Sequence, residues 1–193
     1  MRGLVVAIAG GSGAGKTTFA RKLRNALGRN LCALISQDSY YVDQSAQFLK
    51  DGGGINFDHP TSLDLKLLAQ DLRDLKCGKD VEIPIYDFTS HQRLEQGATI
   101  HAKPFVIVDG TLLLSEFFLL TVFDFTIYID VAEDIRFERR LKRDIHERGR
   151  SVLGVKEQWE NHVVPMHHDF VEPARKNASM IIGGEEDLDS CIK

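Results

Sequence analysis

Nine consecutive residues carry the most specific chemistry in the chain. Gly10, Gly11, Ser12, Gly13, Ala14, Gly15, Lys16 and Thr17, followed by Thr18, match G-x-x-x-x-G-K-[ST] at every defined position. Such glycines let the backbone curl so that successive N–H groups point at phosphate oxygens. A helix opening at Lys16 adds partial positive charge at the same place. Lys16 then reaches the outer phosphates, and the Thr17 hydroxyl can ligate Mg²⁺. The competing reading is a glycine-rich turn without a ligand, which the full match in a strand-to-helix context outweighs. The motif implies a nucleoside triphosphate but not what is done with it. No Asn-Lys-x-Asp guanine-reading signature occurs, which argues against a GTPase, and the chain has little room for the machinery of a motor ATPase.

A second set of residues lies where another substrate would approach. Asp38, in Ser36-Gln-Asp-Ser-Tyr-Tyr41, follows a predicted strand and could accept a proton from an attacking hydroxyl. Asp58, in Asn56-Phe-Asp-His-Pro60, could hold vicinal sugar hydroxyls, whereas its neighbour His59 reads as a packing residue at a helix start. Tyr86 and Phe88 could flank a flat base and His91 could bond its edge, although aromatics in a hairpin are more often core. Asp109 ends an apolar strand, the position that supports Mg²⁺ beside a phosphate loop. Seven Lys or Arg residues fall within residues 136–150, against only Glu138, Asp144 and Glu147. That imbalance is unlike an ordinary salt-bridged helix face. Arg148 and Arg150 flank Gly149, and arginines on a mobile element can close over a transferring phosphate.

These residues must be held by an alternation of strands and helices. Apolar runs at residues 4–9, 31–36, 105–109, 124–130 and 179–183 read as buried strands. Helical spacing covers 16–27, ended by Gly28, and 61–75, with Thr61 as its N-cap. A charged helix is predicted over 132–147. Residues 81–88 and 98–102 alternate like one antiparallel pair. The predicted fold class is α/β: a parallel sheet flanked by helices, a phosphate-loop NTPase. One domain is expected over 1–193, with a hairpin region at 81–103, a lid region at 139–160, and a flexible spot at Asp51-Gly-Gly-Gly54.

The composition fits that expectation. Of 193 residues, 43% are hydrophobic and 27% charged, an ordinary globular mix. Lys plus Arg number 24 and Asp plus Glu 28, giving net charge −4, which argues against coating nucleic acid or an anionic membrane. Cys32, Cys77 and Cys191 are widely spaced and odd in number, so a reducing, cytoplasmic setting is expected. No apolar run is long enough for a transmembrane helix.

Taken together and in order, the phosphate loop, Gln37-Asp-Ser-Tyr-Tyr41, Asn56-Phe-Asp-His-Pro60, Pro84-Ile-Tyr-Asp-Phe-Thr-Ser-His-Gln-Arg93, Asp109-Gly110 and the basic run ending at Arg150 resemble the uridine kinase (uridine–cytidine kinase) family. The resemblance covers about residues 4–183. It implies a nucleoside monophosphate kinase-like fold with a β-hairpin over the nucleoside and an arginine-bearing lid. It implies transfer of the γ-phosphoryl group of ATP to the 5′-hydroxyl of uridine or cytidine, with Mg²⁺. By the same resemblance Asp38 is the general base. Tyr41 and Asp58 line the nucleoside, and Tyr86, Phe88 and His91 surround the pyrimidine. Arg140, Arg150 and Gln158 reach the nucleoside, Lys16, Arg143 and Arg148 attend the phosphates, and Thr17 and Asp109 serve the metal. A homo-oligomer, typically a tetramer, is implied as well. Asp109 stands where the family usually has Glu, and Trp159 where it often has Tyr. The alternatives are a relative with another acceptor (phosphoribulokinase, pantothenate kinase or nicotinamide riboside kinase type) and a nucleotide-binding regulator without transfer activity.

Overall fold

The computed structural model describes residues 2–47 and 55–184. Residues 51–54, expected to be flexible, and Cys191 lie outside the described residues. Five strands form one parallel sheet: β1 (Leu4–Gly10), β2 (Cys32–Ser36), β7 (Phe105–Asp109), β8 (Phe125–Asp130) and β9 (Met180–Gly183), in the order β2-β7-β1-β8-β9. Every pairing in it is parallel, which requires crossovers, and the helices supply them. β1 is an uninterrupted apolar run because both its faces are covered. Val5, Ala7 and Ala9 enter one buried cluster and Ile8 the other.

The helix α1 (Lys16–Leu27) packs Phe19 and Ala20 on the Ile8 side. On the opposite face, α2 (Leu65–Lys76) buries Leu68, Leu72 and Leu75 completely. Each contributes roughly 1.5–3 kcal/mol relative to exposure. The start of α2 differs from the Thr61 expectation. Residues Pro60–Ser62 form a separate 3-10 turn capped by His59, whose ring nitrogen accepts from Thr61 N–H at 3.2 Å. The α-helix begins three residues later, where Asp64 accepts from Leu67 N–H at 3.1 Å. Proline fixes the turn and removes a donor, so the chain restarts its helix at the next good cap.

Pro84 also divides the predicted hairpin. Val81–Ile83 (β3) pairs with Ala98–Ile100 (β6), while Tyr86–Asp87 (β4) pairs separately with Gln92–Arg93 (β5). A short helix α3 (Phe117–Leu120) follows β7. The charged helix α4 spans Glu133–Arg148 and ends at Gly149, as expected. Beyond it α5 (Val152–Gln158) opens a helical run that continues to residue 177 with two π-type turns, an element absent from the sequence-based reading. Val171 and Ala174 anchor this run against the α2-side cluster. Cys32 and Cys77 are free thiols, and no described helix is long and apolar enough to cross a membrane.

Candidate active site

The C-terminal ends of β1, β2 and β7 meet, because Asp109 sits in register with Ile8 on one side and Ser36 on the other. Parallel sheets present ligands at this edge. The phosphate loop leaves β1 here and runs into α1. Lys16 folds back over it, its Nζ donating to Gly11 O at 2.9 Å. Burial pulls the Lys16 ammonium down to about 8, opposed by the charges of Asp109 and Asp38. Ala14 anchors the turn in the α1-side core, and its N–H donates to Gly11 O at 3.1 Å. Gly13, at φ 83°, is pressed against α4: a Cβ there would lie 2.2 Å from Arg136 O. Arg136 is itself buried, with Nε donating to Val131 O at 3.0 Å and its guanidinium 5.6 Å from the Trp159 ring. The loop is therefore braced from behind by α4, and α4 by the helical run after it.

Beside the loop, Thr17 Oγ1 donates to Asp109 Oδ2 at 2.5 Å. Burial raises the Asp109 carboxyl above its usual range, while the Thr17 hydrogen bond and Lys16 oppose the rise. These two hard oxygen donors fit Mg²⁺, which takes few protein ligands and keeps its waters. Among the described residues no group of three or more His, Cys, Asp or Glu could hold a metal, so a cation here would complete its shell with phosphate and water. Asp38 lies in the 3-10 turn Gln37–Tyr40, where its N–H donates to Ser36 Oγ at 3.4 Å. The neighbouring Gln37 ties this turn to β7. Its buried Oε1 accepts from Leu112 N–H at 3.0 Å, and it lies so close over Gly110 that a Cβ there would be 2.5 Å away.

A second wall faces these groups across one cavity lined by Lys16, Thr17, Asp38, Asp58, Asp109 and four arginines. Four rings, Tyr41, Phe57, Phe88 and His91, line its aromatic part, and Tyr86 is buried against two of them. Tyr41 touches Phe57, Tyr86 and Phe88 at centroid distances of 5.9, 5.2 and 5.9 Å. Tyr86 and Phe88 meet edge to face at 5.2 Å, so they form one continuous wall rather than two plates around a slot. The parallel pair is instead Phe57 on His91, stacked at 4.9 Å. His91 is buried and holds φ 56°, uncommon for a non-glycine residue. Burial, then Arg150, push its imidazole below the usual range, which favours its neutral form. The Tyr41 hydroxyl is raised well above its ordinary value by burial and by Asp38 and Asp58. A second chamber of about 650 Å³ shares Phe57, Phe88, His91 and Gln158 and opens toward solvent past α5.

The arginines join the two walls. Arg140 Nη1 donates to Ser12 Oγ at 2.8 Å and lies 3.7 Å from Asp58 Oδ1. Its Nη2 donates to Gln158 Oε1 at 2.8 Å, and Arg150 Nη1 donates to the same oxygen. Arg143 pairs with the fully buried Asp144 at 2.9 Å. Arg148 stands over the Phe88 ring at 4.8 Å, on the aromatic side of the cavity rather than against the phosphate loop. Thr18 is exposed in the first turn of α1. The other residues singled out from the sequence line this cavity or belong to the phosphate loop, except Tyr86, which is buried in the hairpin and does not reach the cavity; His59 caps the Pro60 turn and lies edge-on to Phe170 at 5.4 Å. Phe57, Gln37, Arg136 and Asp144 were not singled out. Phe57 lies inside the Asn56-Phe-Asp motif, and Asp144 is an acid within a basic run, which were the available signals.

A phosphate loop at the carboxyl edge of a parallel sheet, facing a lidded second cavity, defines a nucleotide-dependent kinase fold. Two solved structures share it at low identity. The phosphoribulokinase from Rhodobacter spheroides superposes with TM-score 0.69 at 10% identity, over 94% of this chain and 70% of that one. The D-glycerate 3-kinase from Cryptococcus neoformans gives 0.68 at 17% identity, over 96% and 88%. The chain belongs to the Phosphoribulokinase / Uridine kinase family, whose model matches residues 5–189. It is 43% identical over 192 residues to the uridine kinase of Lactobacillus johnsonii, covering 97% of this chain and 90% of that protein. It is 40% identical over 187 residues to that of Clostridium novyi, covering 96% and 90%.

Proposed function

We propose that the protein transfers the γ-phosphoryl group of ATP to the 5′-hydroxyl of uridine or cytidine in the cytoplasm. The observation that carries this reading is one cavity with a phosphate loop and Asp38 on one wall and, on the other, Asp58 with the rings of Tyr41, Phe57, Phe88 and His91. The aromatic wall supports a planar base, and a base-free sugar phosphate acceptor has no use for it. The near-full-length likeness to uridine kinases supports the same acceptor.

In this mechanism the nucleoside lies with its base on the aromatic wall and its ribose hydroxyls on Asp58. The 5′-oxygen forms a bond to the γ-phosphorus as the bond to the β,γ-bridging oxygen breaks, releasing ADP. The hydroxyl proton passes to the Asp38 carboxylate. Lys16, Arg143 and, once it leaves the Phe88 ring, Arg148 balance charge on the phosphoryl oxygens. Mg²⁺ held by Thr17 and Asp109 would supply further neutralisation of the β- and γ-phosphates. Neutral His91 can donate to a 4-oxo edge or accept from a 4-amino edge, so both pyrimidines are expected to react.

A coupled assay of ADP release over a panel of nucleosides and donors tests the reading. ADP is expected only with uridine or cytidine present, with deoxyuridine weaker because Asp58 loses a partner. ATP loss that is equal with and without nucleoside, or confined to a sugar phosphate, would overturn it.

A further inference from the structure

Asp144 is 0% exposed in α4, and no step of the proposed reaction uses it. Four arginines surround it, divided between its two oxygens. Oδ1 accepts from Arg143 Nε at 2.9 Å, lies 2.9 Å from Arg143 Nη2, and is 3.8 Å from Arg148 Nε. Oδ2 is 3.5 Å from both Arg140 Nε and Arg150 Nη1. The second pair also converges on Gln158, and Arg140 reaches Asp58. By the roles the resemblance implies, one oxygen faces two arginines for the phosphates and the other two for the nucleoside; in the structure Arg140 also donates to Ser12 of the phosphate loop and Arg148 stands over the Phe88 ring, so through each pair the carboxylate reaches both walls.

We propose that Asp144 is a positioning residue that couples acceptor binding to donor binding. This rests on the reading of the site given above. A carboxylate is one rigid plane, so a shift that tightens contacts at one oxygen moves the other. The contacts at Oδ2 are ion pairs without a hydrogen bond among the described residues, whereas Oδ1 holds a close one. A nucleoside that draws Arg140 and Arg150 inward leaves the shared carboxylate better placed to orient Arg143 and Arg148. Phosphate binding acts in reverse, since such coupling is reciprocal.

Calorimetric affinities for uridine and for Mg²⁺ with a non-hydrolysable ATP analogue, each alone and with the other saturating, test this. The wild type is expected to show a coupling factor of about fivefold or more. Asp144→Asn replaces one oxygen by an amide donor that faces one pair with the wrong polarity. Its coupling factor is expected to fall to about one, while Asp144→Glu, which keeps both oxygens, retains part of it. A merely structural role would weaken both ligands and leave the factor unchanged, and that result overturns the proposal, as does a wild type without coupling. Failure of uridine to bind the wild type at all instead overturns the acceptor reading, and the proposal with it. Should Asp144→Asn not fold, Arg150→Lys decides: it keeps the charge but loses the planar fork at Oδ2, and an undiminished factor there refutes the coupling.

Discussion

Burial holds the Lys16 ammonium down to about 8, and a triphosphate beside it restores a favourable setting for its charge. Its ionisation must then be linked to binding. Below pH 8 the ammonium is charged with or without ligand, and affinity is flat. Above pH 8 the free enzyme loses the proton and must regain it on binding, so ATP affinity falls by up to about tenfold per pH unit. Calorimetry at pH 8.5 in buffers of different ionisation enthalpy is expected to show net proton uptake, which Lys16→Ala abolishes. At Asp38 the expectation is a split between chemistry and binding. Asp38→Asn should lower kcat by roughly 10²–10⁴-fold while changing the Kd for ATP little, read by the coupled assay and by calorimetry. Both residues were legible as candidates because their types and spacing mean something without coordinates. Phe57 was not, since an aromatic residue between Asn56 and Asp58 reads equally well as core until its ring is seen stacked on His91.

The start of α2 shows how an element can be right and its boundary wrong. The leucine spacing of 63–75 identifies a helix, but Thr61 and Asp64 are both good caps, and only the turn fixed by Pro60 decides between them. Asp64→Ala is expected to destabilise the protein by about 1 kcal/mol in urea denaturation, and Thr61→Ala by much less. The hairpin had the same ambiguity. Alternation places side chains on faces without saying which strands pair, and Pro84, which lacks an N–H, splits one long pair into two short ones. The helical run 152–177 was illegible for a different reason. Pro165, Pro173 and two π-type turns break the 3.6-residue rhythm that would announce it.

Across the whole molecule, the phosphate loop is tied to that hidden run through a stack of buried groups. Arg136 rests on Gly11 and Gly13, and Trp159 rests on Arg136 and, at 5.3 Å, on Phe137. Trp159 is the only tryptophan, so its fluorescence reports on this stack alone. Titration with Mg²⁺ and the ATP analogue is expected to change Trp159 emission saturably, and Lys16→Ala should shift that change to higher concentration. Fold class, strand positions and the loop were readable because each rests on local pattern. The stack joins residues 11, 136 and 159, and nothing in their spacing announces that they meet.

The division of the hairpin at Pro84 has a bearing on how such a site can change over time. The aromatic wall hangs largely from the small β4–β5 ribbon, which shares no ladder with the five-stranded sheet that carries the phosphate loop. A substitution in the ribbon therefore leaves the register of the triphosphate-binding frame intact. The ribbon and the sheet are joined by side-chain packing and loops, not by a shared ladder. Under the proposed function, substitutions at residues 85–93 are expected to change which acceptor is used while leaving ATP affinity unchanged, as a panel of acceptors and calorimetry would show.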